Sequence, residues 1–510
     1  MSIELTTRSI GTKEIFYDDF VEQGVDCDIT MPDYCPDIMR IIKCSLTAGI
    51  TNSKLIGDRA TADGNAKIRI IYADEKNNIC SYDHDYPFSK YAELSTAYDN
   101  AFLCCNVKTE YVNCRAVSKR RIDVHGIVSL RFRVVGDKSL SLICDACGDG
   151  VQLKRKGIDI DDVVAVAVRS FEVAQVENVG DANGGIGKIL DAFASPVLNE
   201  CKLIKGKMLI KGELFVRVVY CSDSGSNEAC VLNCLIPFNE IAEASAVTDN
   251  CKVDVKMHVT RLTAEPKTDN DGEYRYMNIN AEVLAQLTAY ERKSVSVVTD
   301  TYSTDYETDT QFDPVEFMQV SHTVRENVLC KHNLDLSSMK PQKLYTFSVM
   351  APESKCCIQD DKIIVRGKIP VNLIVMDSDG VPMLCEREAE FECVKNIDDG
   401  ENLVFDPYVS IGGCSASLNS DGSVEFKAEV LINGQVMKRV GERVLVSLAT
   451  KDASMKKDKK SCVVVYFCSG DESVWEIARK YNTTVEEIME ENELSTDYPE
   501  NERMLLIPVK

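Results

Sequence analysis

One ten-residue pattern occurs three times along the chain and constrains its fold more than any other feature. The segments DGNAKIRIIY, KGELFVRVVY and RGKIPVNLIV come into register when Gly64, Gly212 and Gly367 are treated as equivalent. Their separation is that of whole domains rather than of short tandem units. Three unrelated segments that align by chance are the alternative, but each pattern is followed by a turn and a second strand-like run. The sequence therefore predicts three copies of one domain.

Apolar side chains occupy every second position after each glycine. Four aligned sets share one face: Ala66/Leu214/Ile369, Ile68/Val216/Val371, Ile70/Val218/Leu373 and Tyr72/Tyr220/Val375. The intervening positions include Lys67, Arg69, Arg217 and Asn372. This period of two is typical of a β-strand with one buried face. We expect Ile70, Val218 and Leu373 to be buried.

The run that follows each pattern is predicted to pair with it as an antiparallel strand. It ends near Pro87 in the first copy, near Pro237 in the second and near Phe391 in the third. Pro370 interrupts the third pattern, and proline cannot donate a hydrogen bond to a neighbouring strand. We therefore expect an edge or a bulge at Pro370.

The length of 510 residues is too great for one core and suggests three or four domains. Amphipathic helical patterns are scarce before residue 450, and short strands separated by polar turns favour an all-β sandwich or barrel-like unit in each copy. The predicted divisions are an N-terminal segment with the first repeat at 1–180, the second repeat at 181–300, an acidic linker at 301–314, the third repeat at 315–450, a lysine-rich tether at 451–460 and a small module at 461–510.

The formal net charge is −23, which disfavours nucleic acid and anionic membrane surfaces as principal partners. Basic protein surfaces remain compatible with it. The first residues lack the basic and apolar regions of a secretory signal, and no run of about 18 apolar residues occurs. We expect a cytoplasmic protein without a transmembrane segment.

No pattern for catalysis, metal or cofactor binding stands out. The 22 cysteines are scattered through apolar strands, and the single C-x-x-C at Cys144 and Cys147 lacks the two further ligands of a zinc site. No P-loop motif is present, and none of the five histidines lies in a metalloprotease or hydrolase motif. The sequence predicts a protein that is not an enzyme and holds no cofactor or metal.

Residues 461–510 change to a mixed α/β pattern. A strand at 463–467 precedes a capping box at Ser473 and Glu476, and Thr484 with Glu487 repeats the capping signal. A final strand is predicted at 504–508. The first helix has a buried face with i, i+3, i+4, i+7 spacing, formed by Val474, Ile477, Ala478 and Tyr481.

This module resembles a LysM domain, a β-α-α-β unit. The resemblance rests on Tyr466, Gly470-Asp471, the capped helix with Trp475 and Ile477-Ala478, Asn492, and Leu505-Leu506-Ile507-Pro508. It implies a shallow groove that binds N-acetylglucosamine glycans or a protein partner, formed here by Gly470, Asp471, Glu472, Ser473, Trp475, Asn492, Glu493 and Leu494. The module carries eleven acidic and four basic residues, a net charge of −7, which favours a basic protein surface over a neutral sugar.

The three upstream repeats, with Pro-Asp-Ile at 36–38, resemble the SPOCS domain of spore-coat proteins in endospore-forming bacteria. Together the resemblances imply a non-enzymatic scaffold or adaptor of the spore coat that binds the coat ATPase SpoIVA, with other coat proteins as further partners. They place it in the mother-cell cytoplasm at the forespore surface, where it tethers the coat basement layer. The alternative is a peptidoglycan-binding protein that acts through its LysM domain.

Overall fold

A computed structural model describes residues 3–98, 101–148, 150–179, 185–222, 228–451, 457, 462–469, 472–499 and 503–509. The described chain is mainly β, with two short helices near its carboxyl end. The predicted fold class, three repeated β domains followed by a β-α-α-β domain, is confirmed.

Each repeat begins and ends with a long strand. The first repeat contains β1 (Glu4–Thr30), β2 (Arg40–Ile56), β3 (Arg59–Ala73), β4 (Ile79–Glu93), β5 (Phe102–Ser118) and β6 (Arg121–Cys147). The second contains β7 (Val151–Asn178), β8 (Ile186–Ile204), β9 (Lys207–Ser222), β10 (Ala229–Glu243), β11 (Lys252–Lys267) and β12 (Tyr276–Ser303).

The third repeat follows the same order with two strands broken in two. It contains β13 (Thr308–Leu334), a 3₁₀ turn (Ser337–Met339), β14 (Lys343–Val349), β15 (Glu353–Gln359), β16 (Lys362–Met376), β17 (Pro382–Asn396), β18 (Leu403–Phe405), β19 (Tyr408–Leu418) and β20 (Val424–Thr450). The carboxyl-terminal module contains β21 (Cys462–Phe467), α1 (Val474–Tyr481), α2 (Val485–Glu491) and β22 (Met504–Val509).

Two antiparallel sheets make up each repeat. The hairpin sheet has the order β2-β3-β4 in the first repeat, and the long sheet has the order β1-β6-β5. We call β3, β9 and β16, which carry the repeated pattern, the organising strands. The pairs β3-β4, β9-β10 and β16-β17 reproduce the predicted pairing of each organising strand with the strand that follows it. Ile70, Val218 and Leu373 are each 0% exposed, as predicted from their shared face.

The long strands cross the divisions expected from the sequence. β7 pairs with β12 along its whole length, so residues on both sides of position 180 share one sheet. Residues 301–314 are not a free linker in the structure, because β12 extends to Ser303 and β13 begins at Thr308. Polar composition misled the prediction here: Thr301, Ser303 and Thr304 are buried despite their polarity. The six ranges remain predictions as folding units.

Pro370 lies in a central strand, where the neighbouring strand is interrupted. β16 pairs on one side with β17 and on the other with β14 and β15 in succession. The register passes from Val349 opposite Val371 to Glu353 opposite Lys368, so Pro370 has no strand-paired residue on that side. On the other side it pairs with Glu388 of β17, so the strand is not an edge.

The three hairpin sheets meet around one pseudo-threefold axis. In each repeat a bulge inserts one residue into the first hairpin strand, and these residues are Ile42, Leu190 and Tyr345. All three are buried in a single apolar cluster together with Ile71, Val219 and Ile374, which occupy equivalent positions in the organising strands. Equivalent residues from three repeats can share one cluster only if the repeats form a closed ring.

Polar residues of the hairpin sheets line the contacts between repeats. The Arg69 guanidinium is paired with Asp191 of the second repeat at 3.2 Å. Arg217 lies over the Phe347 ring of the third repeat, with its Cζ 3.7 Å from the ring centroid. Lys43 of the first repeat donates to the Ser348 hydroxyl of the third at 2.7 Å. We call the three contacts between neighbouring repeats the seams of the ring. Each seam is therefore joined by polar contacts near the axis.

The outer halves of the long strands form a stalk at the other end of the ring. It consists of three two-stranded ribbons: residues 4–15 with 135–147, 151–163 with 290–303, and 308–320 with 437–450. Leu142, Val297 and Val444, one from each ribbon, are packed in one core. β12 ends at Ser303, at the tip of this stalk.

Two of the three seams are tight between the axis and the stalk. The Gly49 backbone of the first repeat approaches Thr260 of the second so closely that a Cβ would lie 2.0 Å from the Thr260 carbonyl oxygen. In the next seam, the Ile411 amide of the third repeat donates to the buried Ser195 hydroxyl of the second at 2.9 Å.

The third seam, between the third and first repeats, is looser. At the position equivalent to Gly49, Glu353 forms an ion pair with Lys108 at 2.9 Å, and both side chains are more than half exposed. The break between β14 and β15 lies beside this pair. A cavity of about 2970 Å³ lies between the repeats, lined by residues of all three.

Candidate functional site

The carboxyl-terminal module is built around two capped helices and a two-stranded sheet. β21 pairs antiparallel with β22. The Ser473 side chain accepts from the Glu476 amide at 3.3 Å, and the Glu476 carboxylate accepts from the Ser473 amide at 2.8 Å, which is the predicted capping box. Thr484 accepts from the Glu487 amide at 3.1 Å and caps α2. Apolar residues of both helices and both strands close the core.

The end of α2 is tied to β22 through Asn492. Its side-chain amide donates to the carbonyl oxygens of Ile488 and Leu506 at 2.8 and 2.7 Å, and its side-chain oxygen accepts from the Leu506 amide at 2.6 Å. All hydrogen-bonding atoms of this side chain are thus turned toward the fold. Glu493 follows in a left-handed conformation (φ 49°) and is exposed, while Leu494 packs against the core.

Glu472 is held at the start of α1 by an aromatic hydroxyl. The Tyr466 hydroxyl donates to its carboxylate, which lowers the pKa of Glu472 and raises the pKa of Tyr466 to about 12. The hydrogen bond to the Ser473 backbone likewise lowers the pKa of Glu476. Both carboxylates are therefore stabilised in the charged form at neutral pH.

A second face of α1 is turned toward the stalk. Trp475 Nε1 donates to Asp300 Oδ2 of β12 at 2.7 Å, and Arg479 Nη1 lies 2.8 Å from both Asp300 oxygens. The Tyr302 hydroxyl donates to the Thr483 carbonyl oxygen at 2.8 Å. The Tyr302 and Trp475 rings meet edge to face, with centroids 5.0 Å apart. The module is thus docked on the tip of the stalk.

Models of two known domain families match segments of the chain. A model described as SipL, SPOCS domain matches residues 37–117 and 185–267, and a LysM domain model matches residues 469–508. The chain carries SPOCS domains followed by a LysM domain, the arrangement of a SipL-like protein. The third repeat lies outside the matched segments but shares their strand order. No curated protein matches the chain.

The two matched families, SPOCS and LysM, are families of binding domains rather than of catalytic domains. Among the described residues, no group of side chains is arranged to hold a metal ion, and no helix is long and apolar enough to cross a membrane.

The predicted LysM groove is only partly accessible. Gly470 and Asp471 lie outside the described residues. Ser473 is buried as a helix cap and Trp475 is 7% exposed. The groove residues with exposed or half-exposed surface are Glu472, Asn492, Glu493 and Leu494. Binding at these residues stays a prediction.

The sequence analysis missed an apolar surface on the LysM domain. The outer face of its sheet, formed by Val463, Val465, Phe467 and Met504, is 54–64% exposed at every one of these side chains. The signal was available: five consecutive apolar residues at 463–467 supply both faces of a strand, whereas the helices cover only one. We refer to these four residues as the outer LysM face.

Proposed function

We propose that the chain is a non-enzymatic scaffold and adaptor of the bacterial endospore coat, which binds the coat ATPase SpoIVA and tethers the basement layer of the coat to the forespore surface. In this proposal it acts in the mother-cell cytoplasm. The SPOCS matches support the link to sporulation, and the ring of repeats carries one binding domain at its end.

The outer LysM face is the observation that carries the proposal. Four exposed large apolar side chains on so small a sheet form a contiguous patch, and such patches mark interaction sites. Binding of a neutral sugar in the predicted groove would not involve the outer LysM face, because this face lies on the sheet and the predicted groove lies at the helix ends. The acidic charge of the domain adds long-range attraction toward a basic partner.

A second candidate function is peptidoglycan binding through the groove, which the LysM match suggests in its own right. Asp471, Glu472 and Glu493 are the charged residues predicted to line that groove. In this reading the outer LysM face is incidental, and binding does not depend on it.

The test measures capture of purified SpoIVA and sedimentation with purified peptidoglycan by the full chain. The variant Val465→Thr/Phe467→Ser removes apolar area from the outer LysM face, and Ser495→Ala/Thr496→Ala is the control, on exposed residues after α2 whose replacement leaves the net charge unchanged. We expect the first variant to lose SpoIVA capture and the control to retain it. Capture should weaken as salt rises. Sedimentation with peptidoglycan and no retention of SpoIVA at low salt would replace the adaptor function with the glycan-binding one.

A fluorescent fusion gives an independent test in sporulating cells. The adaptor function predicts a ring around the forespore. A signal over the vegetative cell wall would contradict it.

A further inference from the structure

The contact between the LysM domain and the stalk adds Tyr302 of β12 to the apolar core of the domain, where it meets the ring of Trp475. Val474, Ile477 and Ala478 face the core of the domain. Trp475 and Arg479 are four residues apart, so they share a neighbouring face of α1. Both reach Asp300, which no LysM element supplies.

The indole of Trp475, the carboxylate of Asp300 and the hydroxyl of Tyr302 all form hydrogen bonds in this contact. The single donor of the Trp475 indole is used by Asp300 Oδ2, and both oxygens of that carboxylate face the Arg479 guanidinium. Tyr302 is 4% exposed, and its hydroxyl donates a hydrogen bond to the carbonyl oxygen of Thr483, which is also buried. Burial raises the pKa of Tyr302, so the hydroxyl remains a donor at neutral pH.

The chain between the repeats and the LysM domain reinforces the contact. Lys457 Nζ lies 2.5 Å from the Asn482 side-chain oxygen, just after α1, and 2.9 Å from the Ser303 carbonyl oxygen, at the end of β12. One lysine thereby connects the two sides of the docking contact.

We propose that Asp300 and Tyr302 form an intramolecular docking site for the LysM domain, and that Trp475 is a positioning residue within the chain rather than a contact for the partner. Docking fixes α1 against the stalk and leaves the outer LysM face exposed. The consequence for partner binding rests on the proposed function; the docking itself does not.

Trp475 is the only tryptophan of the chain, so its fluorescence reports the docking directly in the full-length protein. Asp300→Ala removes the acceptor of the indole, and Tyr302→Phe removes only the hydrogen bond to Thr483. Asp309→Asn is the matched control, since Asp309 is an exposed carboxylate at the start of β13. Emission maximum and acrylamide quenching are measured for each.

Asp300→Ala should shift the Trp475 emission to longer wavelength and increase its quenching, Tyr302→Phe should do so to a smaller extent, and Asp309→Asn should match the wild type. A smaller shift for Asp300→Asn, which keeps an acceptor oxygen, would separate loss of the hydrogen bond from loss of charge. Unchanged emission and quenching in Asp300→Ala and Asp300→Asn would overturn the proposal.

SpoIVA capture by Trp475→Phe and by Val465→Thr/Phe467→Ser tests the consequence of docking for partner binding. With Trp475 as a positioning residue, Trp475→Phe should retain capture that Val465→Thr/Phe467→Ser loses. If Trp475→Phe loses capture while its far-ultraviolet circular dichroism is unchanged, Trp475 contacts the partner and the positioning role is wrong. Absence of capture by the wild type would remove the proposed function and leave the fluorescence result standing.

Discussion

The ring of Phe88 lies directly over Gly64, its partner across the strand pair, with so little space that a Cβ on the glycine would lie 2.3 Å from the Phe88 Cζ. Phe238 covers Gly212 and Phe391 covers Gly367 in the same way. The glycines that align the three repeats are therefore required by packing. An aromatic ring fills the position that their missing side chains leave open.

Replacing one of these glycines should destabilise its repeat. In Gly212→Ala the new methyl group would lie 2.2 Å from the Val197 carbonyl oxygen, so the backbone must move. We expect a loss of about 1–3 kcal/mol in the free energy of unfolding, as for overpacked cores. Gly157→Ala is the control, because nothing lies within 4 Å of its added Cβ. Equal effects of both substitutions in denaturant titrations would refute the packing argument.

The seams of the ring should differ in strength. Ser195→Ala leaves the buried Ile411 amide without its acceptor and should cost about 1–3 kcal/mol. Lys108→Ala breaks only exposed ion pairs, with Glu353 and Glu110, and should cost less than about 1 kcal/mol. Denaturant titration of the two variants measures the difference. A larger effect for Lys108→Ala would show that the third seam is not the looser one.

The LysM domain should lose stability in acid. The pKa values of Glu472 and Glu476 are lowered in the folded state, so their contribution is present above the ordinary glutamate pKa of 4.5 and disappears as the pH falls through the lower folded values. Trp475 fluorescence during thermal unfolding at stepped pH values follows this domain. Glu472→Gln should flatten the pH dependence, and the exposed substitution Glu490→Gln should not. An identical pH profile in Glu472→Gln and wild type would rule out this role.

Residues 461–510 alone should fold cooperatively, since Val474, Ile477, Ile488, Leu505 and Ile507 supply a core from within the domain. The midpoint of thermal unfolding of this fragment should lie below that of the LysM domain in the full chain, because the fragment lacks Asp300 and Tyr302. Circular dichroism of the fragment provides the measurement. A fragment without any cooperative transition would mean that the stalk is part of the LysM core.

The sequence predicted the organising strands because alternation of apolar and polar residues marks the face of a strand that is buried in the core of its own repeat. Ile70, Val218 and Leu373 belong to the core of their own repeat, which local periodicity identifies. The opposite face was read as solvated, yet Arg217 is 4% exposed and Asn372 is 7% exposed. Arg217 is covered by Phe347 of the third repeat, and a pattern within one strand carries no information about another repeat.

The stalk was missed for a related reason. A strand of 27 residues such as β6 changes its surroundings halfway, from the core of one repeat to contact with other ribbons. Its two halves therefore follow different patterns, and the acidic end of β12 resembled a linker. In the LysM domain, by contrast, caps and core are local, and the capping box at Ser473 and Glu476 was predicted correctly.

The closed ring also fixes how many repeats the chain can contain. In an open stack each unit contacts only its neighbours, so duplication or loss of a unit changes the length and leaves the other contacts intact. Here Ile42, Leu190 and Tyr345 need one another, and the last repeat must return to the first. A chain with one repeat deleted would expose two unmatched seams, and an added repeat would have no place at the axis. Gene duplication in this architecture is therefore constrained to three units, unless a second chain supplies the missing one.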